Sequence, residues 1–347
     1  MNHKTNLWVE KYRPKKISQI VQQNEIKLLL EQAIKKKNLT HMLLFGPPGT
    51  GKTSTALALA KQLYYLPRKE GEDKWKYYER NEKLFRERVI ELNASDESGI
   101  KVVRDKIKNF ANSAININEE NTNIPPFKII ILDEADAMTN DSQFALRRII
   151  ELFTHSTRFI LICNYVTKII EPLTSRCAKF RFQSISSISI NEIINYISKK
   201  ENLEIDDNVI QTLYKITKGD LRKVINLLQR ASYIDKNITS DLIIDISGQI
   251  SNSKIDYIWN IIIDKNIDHI RLFKLVKEII SEGYSSIILL NNIFEKIIED
   301  ENINDDNKKK IILIISQIDY ELINNANETI QIMYLFNTII NNIKNIE

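Results

Sequence analysis

Residues Gly46-Pro47-Pro48-Gly49-Thr50-Gly51-Lys52-Thr53 have the types and spacing of a phosphate-binding turn. Glycines let backbone N–H groups curl around an anion, and a following helix adds the positive end of its dipole. In such a turn Lys52 reaches β- and γ-phosphates and the Thr53 hydroxyl sits on Mg²⁺, while Ser54 closes the nucleotide set. A second acidic pair, Asp133-Glu134, ends the apolar run Ile129-Ile130-Ile131-Leu132. Asp133 would meet the metal beside Thr53 through a water, and Glu134 would polarise a water for attack on the γ-phosphate. Asn164 ends the next apolar run and is either a γ-phosphate ligand or a turn residue. Arg176 follows a proline-containing turn, Glu171-Pro172-Leu173-Thr174-Ser175-Arg176-Cys177. It is either a surface charge or an arginine finger, a planar cation for a transferring phosphoryl group. Arg222 opens a helix after Gly219-Asp220 and either bends back over the nucleotide or lies on the helix surface.

These residues need rigid elements behind them. Met42–Phe45, Val89–Leu92, Lys128–Leu132, Arg158–Cys163 and Lys179–Phe182 are apolar runs of strand length. They alternate with amphipathic stretches, the pattern of a parallel α/β sheet. Ser54–Leu63 reads as a helix, so the glycine turn stands between strand and helix, which a chance match would not provide. Pro67–Lys83 is charged and aromatic with no clean period and reads as an insertion; Asn116–Asn123 reads as a solvated loop. Beyond Ser184 the strand pattern fades. Ile190–Glu201, Asp207–Thr217 and Leu221–Ser232 read as short helices, and 253–347, with no proline and one glycine, reads as a bundle of about five. Ile, Asn and Lys are abundant there, and biased nucleotide composition explains that more simply than special chemistry.

At 347 residues the chain exceeds one ordinary core. With 43% hydrophobic and 27% charged residues it reads as globular. No apolar run approaches the roughly 20 residues of a membrane span, and Met1–Glu10 lacks the pattern of a secretory signal. Two cysteines, Cys163 and Cys177, do not make a structural zinc site alone, and both are expected free. A net charge of +4 permits nucleic-acid binding without arguing for it.

Taken in order, Trp8-Val9-Glu10-Lys11-Tyr12-Arg13-Pro14, the glycine turn, Glu91-Leu92-Asn93-Ala94-Ser95-Asp96-Glu97, the Asp133–Asp136 strand end, Asn164, Ser175-Arg176-Cys177 and Gly219-Asp220-Leu221-Arg222 resemble one family. It is the small subunits of replication factor C, the eukaryotic AAA+ sliding-clamp loader. The resemblance implies an α/β AAA+ P-loop NTPase core with a parallel sheet (1–184), a small helical lid domain (185–248) and an all-α collar domain (249–347). It implies ATP and Mg²⁺ as ligands, with Val9 and Arg13 bordering adenine and ribose. Asn164 becomes sensor 1 and Arg222 sensor 2, and Arg176 acts in trans on a neighbour's ATP. Partners would be the other subunits of a heteropentamer, the clamp (proliferating cell nuclear antigen) and primer–template DNA, in the nucleus and away from membranes. Lys101, Arg104 and Lys108 recur at helical spacing and are candidates for DNA phosphates or are ordinary solvated charges; Phe110 is a clamp contact or core. Ser98 stands where relatives commonly carry a basic residue, and the Pro67–Lys83 insertion is a departure of unassigned role. Two rivals stay open: a branch-migration-type AAA+ helicase, expected to carry a winged-helix end, and a subunit that binds ATP without turnover. Asp136 completes the letters DEAD, but other motifs of that helicase class are absent.

Overall fold

The computed structural model describes residues 7–95, 99–114, 124–264, 267–301 and 303–344, with the side chains of 99–103 and 343–344 outside that description. Asp96–Ser98, the Asn116–Asn123 loop and the side chain of Lys101 therefore fall outside it. The chain divides into two compact units, Met1–Asn202 with Thr217–Gln229, and Leu203–Ile216 with Arg230–Glu347.

In the first unit, α1 (Trp8–Lys11) and α2 (Asn24–Lys36) precede β1 (Met42–Phe45) and α3 (Lys52–Tyr64). Then come α4 (Lys74–Arg88), β2 (Val89–Asn93), α5 (Gly99–Asn112), β3 (Lys128–Asp133), α6 (Asn140–Phe153) and β4 (Thr157–Cys163). α7 (Glu171–Thr174), β5 (Ala178–Arg181) and α8 (Ser187–Glu201) complete the run. The five strands form one parallel sheet in the order β2-β3-β4-β1-β5. All five apolar runs are strands, each within two residues of its expected limits. A parallel sheet is covered on both faces, which is why Leu43, Leu44 and Ile129–Leu132 are apolar without alternation and fully buried. Leu44, Ile129 and Ile131 join one apolar cluster with α3; Leu43, Ile130 and Leu132 join another with α6. Cys163 and Cys177 are free and buried, and burial pushes their thiols up to about 12 and about 11.

The charged insertion is not irregular throughout. Its second half is α4, with Asp73 accepting from the Trp75 and Lys76 N–H groups at its start. The helical period is hidden because polar residues occupy inward positions. Asn81 is fully buried, its Oδ1 accepting from Leu66 N at 2.8 Å and its Nδ2 donating to Tyr77 O at 3.1 Å. Arg88 is buried as well.

The second unit holds β6 (Glu204–Ile205) and α9 (Asp207–Thr217); α10 (Leu221–Ser232) follows, mostly within the first. β7 (Asn237–Ile238), α11 (Ser240–Ser247), α12 (Asn252–Ile262), α13 (His269–Ser281), α14 (Ser286–Glu299), α15 (Asp305–Ile323) and α16 (Glu328–Lys344) complete it. β6 and β7 form a parallel two-residue pair that no apolar run announces. Helices α12–α16 enclose an apolar cluster that includes Ile258, Val276, Ile293, Ile311 and Phe336, the expected bundle. Among the described residues no helix is long and apolar enough to cross a membrane. From α11 to the end, the described elements are helices alone, without the strands a winged helix needs.

Candidate nucleotide site

The carboxyl ends of the parallel strands set the site. Phe45 of β1 is in register with Cys163 of β4, and Asn93 of β2 with Asp133 of β3. The Gly46–Gly51 turn, Asp133–Glu134 and Asn164 therefore leave the sheet along one edge, where ligands of open α/β sheets bind.

Close approach explains two of the turn's glycines. A Cβ on Gly46 (φ +140°) would stand 2.2 Å from Phe182 O, and one on Gly49 (φ +69°) would stand 1.8 Å from Asp220 Oδ1. Leu221 N also donates to Gly49 O at 3.2 Å, so the Gly219–Arg222 segment rests against the turn. The turn is braced from inside by the Thr50 hydroxyl, which donates to Pro47 O at 2.9 Å.

Lys52 is buried at the start of α3. Its Nζ donates to Gly46 O at 2.8 Å, Pro47 O at 2.7 Å and Asn164 Oδ1 at 2.9 Å. Burial pulls its pKa below the ordinary lysine value, while the Asp133 carboxylate pushes the other way. Thr53 Oγ1 donates to Asp133 Oδ2 at 2.7 Å, joining α3 to the tip of β3. Glu134 is exposed and holds a left-handed backbone, φ +54°, with its N–H donating to Asp133 Oδ1 at 2.9 Å. A glutamate in that region is strained, and such strain clusters at functional sites.

One cleft joins these groups. Its polar lining holds Pro48, Gly49, Thr50, Gly51, Lys52, Thr53 and Ser54, together with Asp133, Glu134 and Asn164. Val9, Arg13 and Arg222 line it too. Gly46 and Pro47 border a neighbouring hollow that shares Asn164. Ile20, Val21, Ile185, Leu221 and Ile225 add an apolar wall that local motifs did not announce. Those residues come from separated segments and meet only on folding. A further expectation missed by motif is how the Val9–Arg13 segment is held. Trp8 N donates to Gln229 Oε1 at 2.9 Å, Lys11 Nζ meets Glu201 Oε1 at 2.5 Å, and Tyr12 Oη donates to the same carboxylate. Burial, then Glu201, raises the Tyr12 pKa to about 12.

Backbone N–H groups, a buried ammonium and an apolar wall suit a nucleoside triphosphate. The Thr53 hydroxyl and Asp133 carboxylate are hard oxygen donors on adjacent elements, a set that fits Mg²⁺.

Arg176 is outside this cleft. Its guanidinium donates to Pro172 O at 2.7 Å and pairs with Glu151 of α6 at 2.6 Å. Arg147 shares that carboxylate at 3.0 Å, and the Arg147 hydrogen bond, with Arg176 adding, keeps Glu151 below the usual carboxylate pKa. Buried Gln143 ties α6 to the chain leading to Arg176, donating to Lys168 O at 2.9 Å and accepting from Ile170 N at 2.8 Å. On α5, Arg104 and Lys108 are half-buried, and Arg104 Nε is a buried nitrogen with no hydrogen-bond partner. Phe110 is half-buried against the apolar cluster that includes Ile107 and receives the Lys128 ammonium over its ring.

Residues 42–185 match the ATPase family associated with various cellular activities (AAA), and residues 250–337 match the replication factor C C-terminal domain. The chain is 42% identical to human replication factor C subunit 4, covering 96% of this chain and 87% of that protein. It is 42% identical to subunit 2 of Saccharomyces cerevisiae, over 94% and 91%. The replication factor C small subunit of Thermofilum pendens is 37% identical, over 96% of each chain. Among solved structures, the Thermotoga maritima RuvB Holliday junction branch migration motor superposes with a TM-score of 0.50 at 19% identity, covering 78% of this chain and 79% of that one. That likeness is one of fold.

Proposed function

Because this chain belongs to the replication factor C small subunits, AAA+ ATPases of multi-subunit clamp loaders, we propose that it binds and hydrolyses ATP within a heteropentamer. That assembly opens the sliding clamp, proliferating cell nuclear antigen, and loads it on primer–template DNA in the nucleus. The observation that carries the reading is the pair of cross-links at the sheet edge, Lys52 to Asn164 and Thr53 to Asp133. They bring glycine turn, acidic strand end and polar sensor position to one point.

N–H groups of the Gly49–Lys52 segment and the Lys52 ammonium cradle the phosphates, and Val9, Arg13 and the apolar wall take the base and ribose. Thr53, and Asp133 through a water, would hold Mg²⁺, which would supply charge neutralisation at the phosphoryl group being transferred. Glu134 orients a water and draws its proton, and Asn164 and Arg222 read the γ-phosphate end. Arg176, outside its own cleft, serves the neighbouring subunit's ATP, so turnover depends on assembly. The division into core (1–184), lid (185–248) and collar (249–347) belongs to the same reading. So do Lys101, Arg104 and Lys108 as phosphate contacts, which would track duplex shape rather than sequence.

Copurified loader, assayed for ATP turnover with and without clamp and primed DNA, tests it. The expected result is stimulation when both are present. Arg176→Ala in this chain should slow the adjacent site by about 10³–10⁵-fold, the range of arginine fingers elsewhere. Full turnover by a lone monomer, indifferent to DNA, would overturn the assignment.

A further inference from the structure

Asp136, the last acidic letter of Asp133-Glu134-Ala135-Asp136, does not line the nucleotide cleft. It sits on the 3-10 turn Ala135–Ala137, and its Oδ2 accepts two backbone hydrogen bonds, from Asn164 N and Tyr165 N, each at 3.1 Å. Those amides are the first two after β4. A carboxylate gripping two successive N–H groups fixes the direction in which a chain leaves its strand, because both donors must point at one oxygen.

What it fixes is close to the chemistry. The side chain of Asn164 reaches the Lys52 ammonium at 2.9 Å. Glu134 begins the same turn that carries Asp136, with Glu134 O accepting from Ala137 N at 2.9 Å. One short turn therefore presents Glu134 to the cleft and holds the segment bearing Asn164. If the turn rotates, both groups move.

We infer that Asp136 is a positioning residue, which locks the water-orienting Glu134 and the γ-phosphate-reading Asn164 into a fixed mutual register. This rests on the ATPase reading of the cleft. The carboxylate lies outside the cleft lining and acts through the two backbone N–H groups it holds. Catalytic geometry is steep in distance, and a displacement of about 1 Å can cost about 10²-fold in rate. Binding of the nucleotide, spread over the glycine turn and apolar wall, has no such dependence.

The test compares Asp136→Ala with Asp136→Asn. Asparagine keeps an acceptor oxygen and removes the charge; alanine removes the acceptor. In the assembled loader Asp136→Ala should lower kcat by about tenfold or more with ATP affinity within about threefold, and Asp136→Asn should recover most of the rate. In the full-length chain alone, hydrogen exchange of the Asn164 and Tyr165 amides should accelerate in the alanine variant and stay slow in the asparagine variant. Turnover of Asp136→Ala equal to wild type overturns the inference. So does equal impairment of both variants, which would assign the effect to charge near Lys52. Loss of ATP affinity in step with kcat would make the residue merely structural and also overturn it. Should clamp and DNA leave wild-type turnover unchanged while the two variants behave as expected, the loader assignment falls and the positioning role stands.

Discussion

The five-stranded sheet and the interior of the C-terminal bundle both bury isoleucine, and they treat polar atoms in opposite ways. In the first unit Ile129, Ile130 and Ile131 are fully buried, yet the same unit buries polar side chains: Thr50 and Lys52 at the carboxyl edge, Gln143 on α6, and Lys128 and His41 at the amino ends of β3 and β1. In the bundle, from 252 to 344, Ser286 is the buried polar residue among those described. Buried polar groups cost stability unless paired. The first unit pairs them, Lys52 with three oxygens and Gln143 with backbone on both sides. The bundle avoids the problem and gains stability from apolar area. At Thr50 and Lys52 that polar burial lines the cleft, whereas at Asn81, Arg88, Lys128 and His41 it lies away from the cleft and only ties elements together.

The contrast can be broken most sharply at Glu134. Exposed and at a strand tip, it should contribute to rate and little to stability. Glu134→Gln is expected to reduce ATP turnover by about 10²–10⁴-fold, with urea unfolding midpoints unchanged. A comparable loss of stability would mean the strained turn is structural after all.

The mirror experiment is Phe336→Ala. Phe336 is fully buried in the bundle cluster, and truncation should cost about 3–5 kcal/mol in denaturant unfolding. ATP affinity should stay within about twofold. Parallel loss of nucleotide binding would deny the separation of roles.

A smaller effect is expected at Gly49, where the added methyl of alanine meets Asp220 at 1.8 Å under a positive φ. ATP affinity, read by calorimetry, should fall by about tenfold, or roughly 1–2 kcal/mol, through strain at a backbone conformation alanine resists. Gly49→Ala with Asp220→Ala should regain only part, since the backbone conformation is still wrong.

The smallest effect is a pH dependence confined to the first unit. Burial, with Arg158 adding, depresses the His41 pKa to about 4; its Nδ1 accepts from Phe159 N at 3.2 Å. The unfolded chain binds that proton near 6.5, so between about pH 6.5 and about pH 4 the unfolded state holds more protons and stability falls as pH falls. The loss from about pH 7 to about pH 5 should be on the order of 1–2 kcal/mol in urea titrations. His41→Asn should flatten it. An unchanged slope would place the titration elsewhere.

Much of this contrast is legible in the sequence because the informative residues are near one another in the chain. The strands are readable as apolar runs, since both faces of the sheet are covered, and the glycine turn follows one of them directly. The bundle is readable from helical spacing, although isoleucine is a mediocre helix former and burial must override its preference. α4 is not readable, because Asn81 and Arg88 fill inward positions where a periodic reading expects apolar groups. The β6–β7 pair is two residues long on each side, below any pattern. Within the site, each motif is visible but the joints between motifs are not. Asp136 to Asn164, Asp220 to Gly49 and Glu201 to Tyr12 link positions far apart, and nothing local encodes them.

Both thiols of the chain are sealed inside the first unit, Cys163 beneath the strand tip and Cys177 after the arginine turn, and both ionise far above neutral pH. Alkylating reagents attack thiolates, so neither sulfur competes for a maleimide under mild conditions. A single cysteine engineered on an exposed helix face would take a fluorophore alone. The native molecule thus serves as its own unlabelled background for optical work on labelled variants.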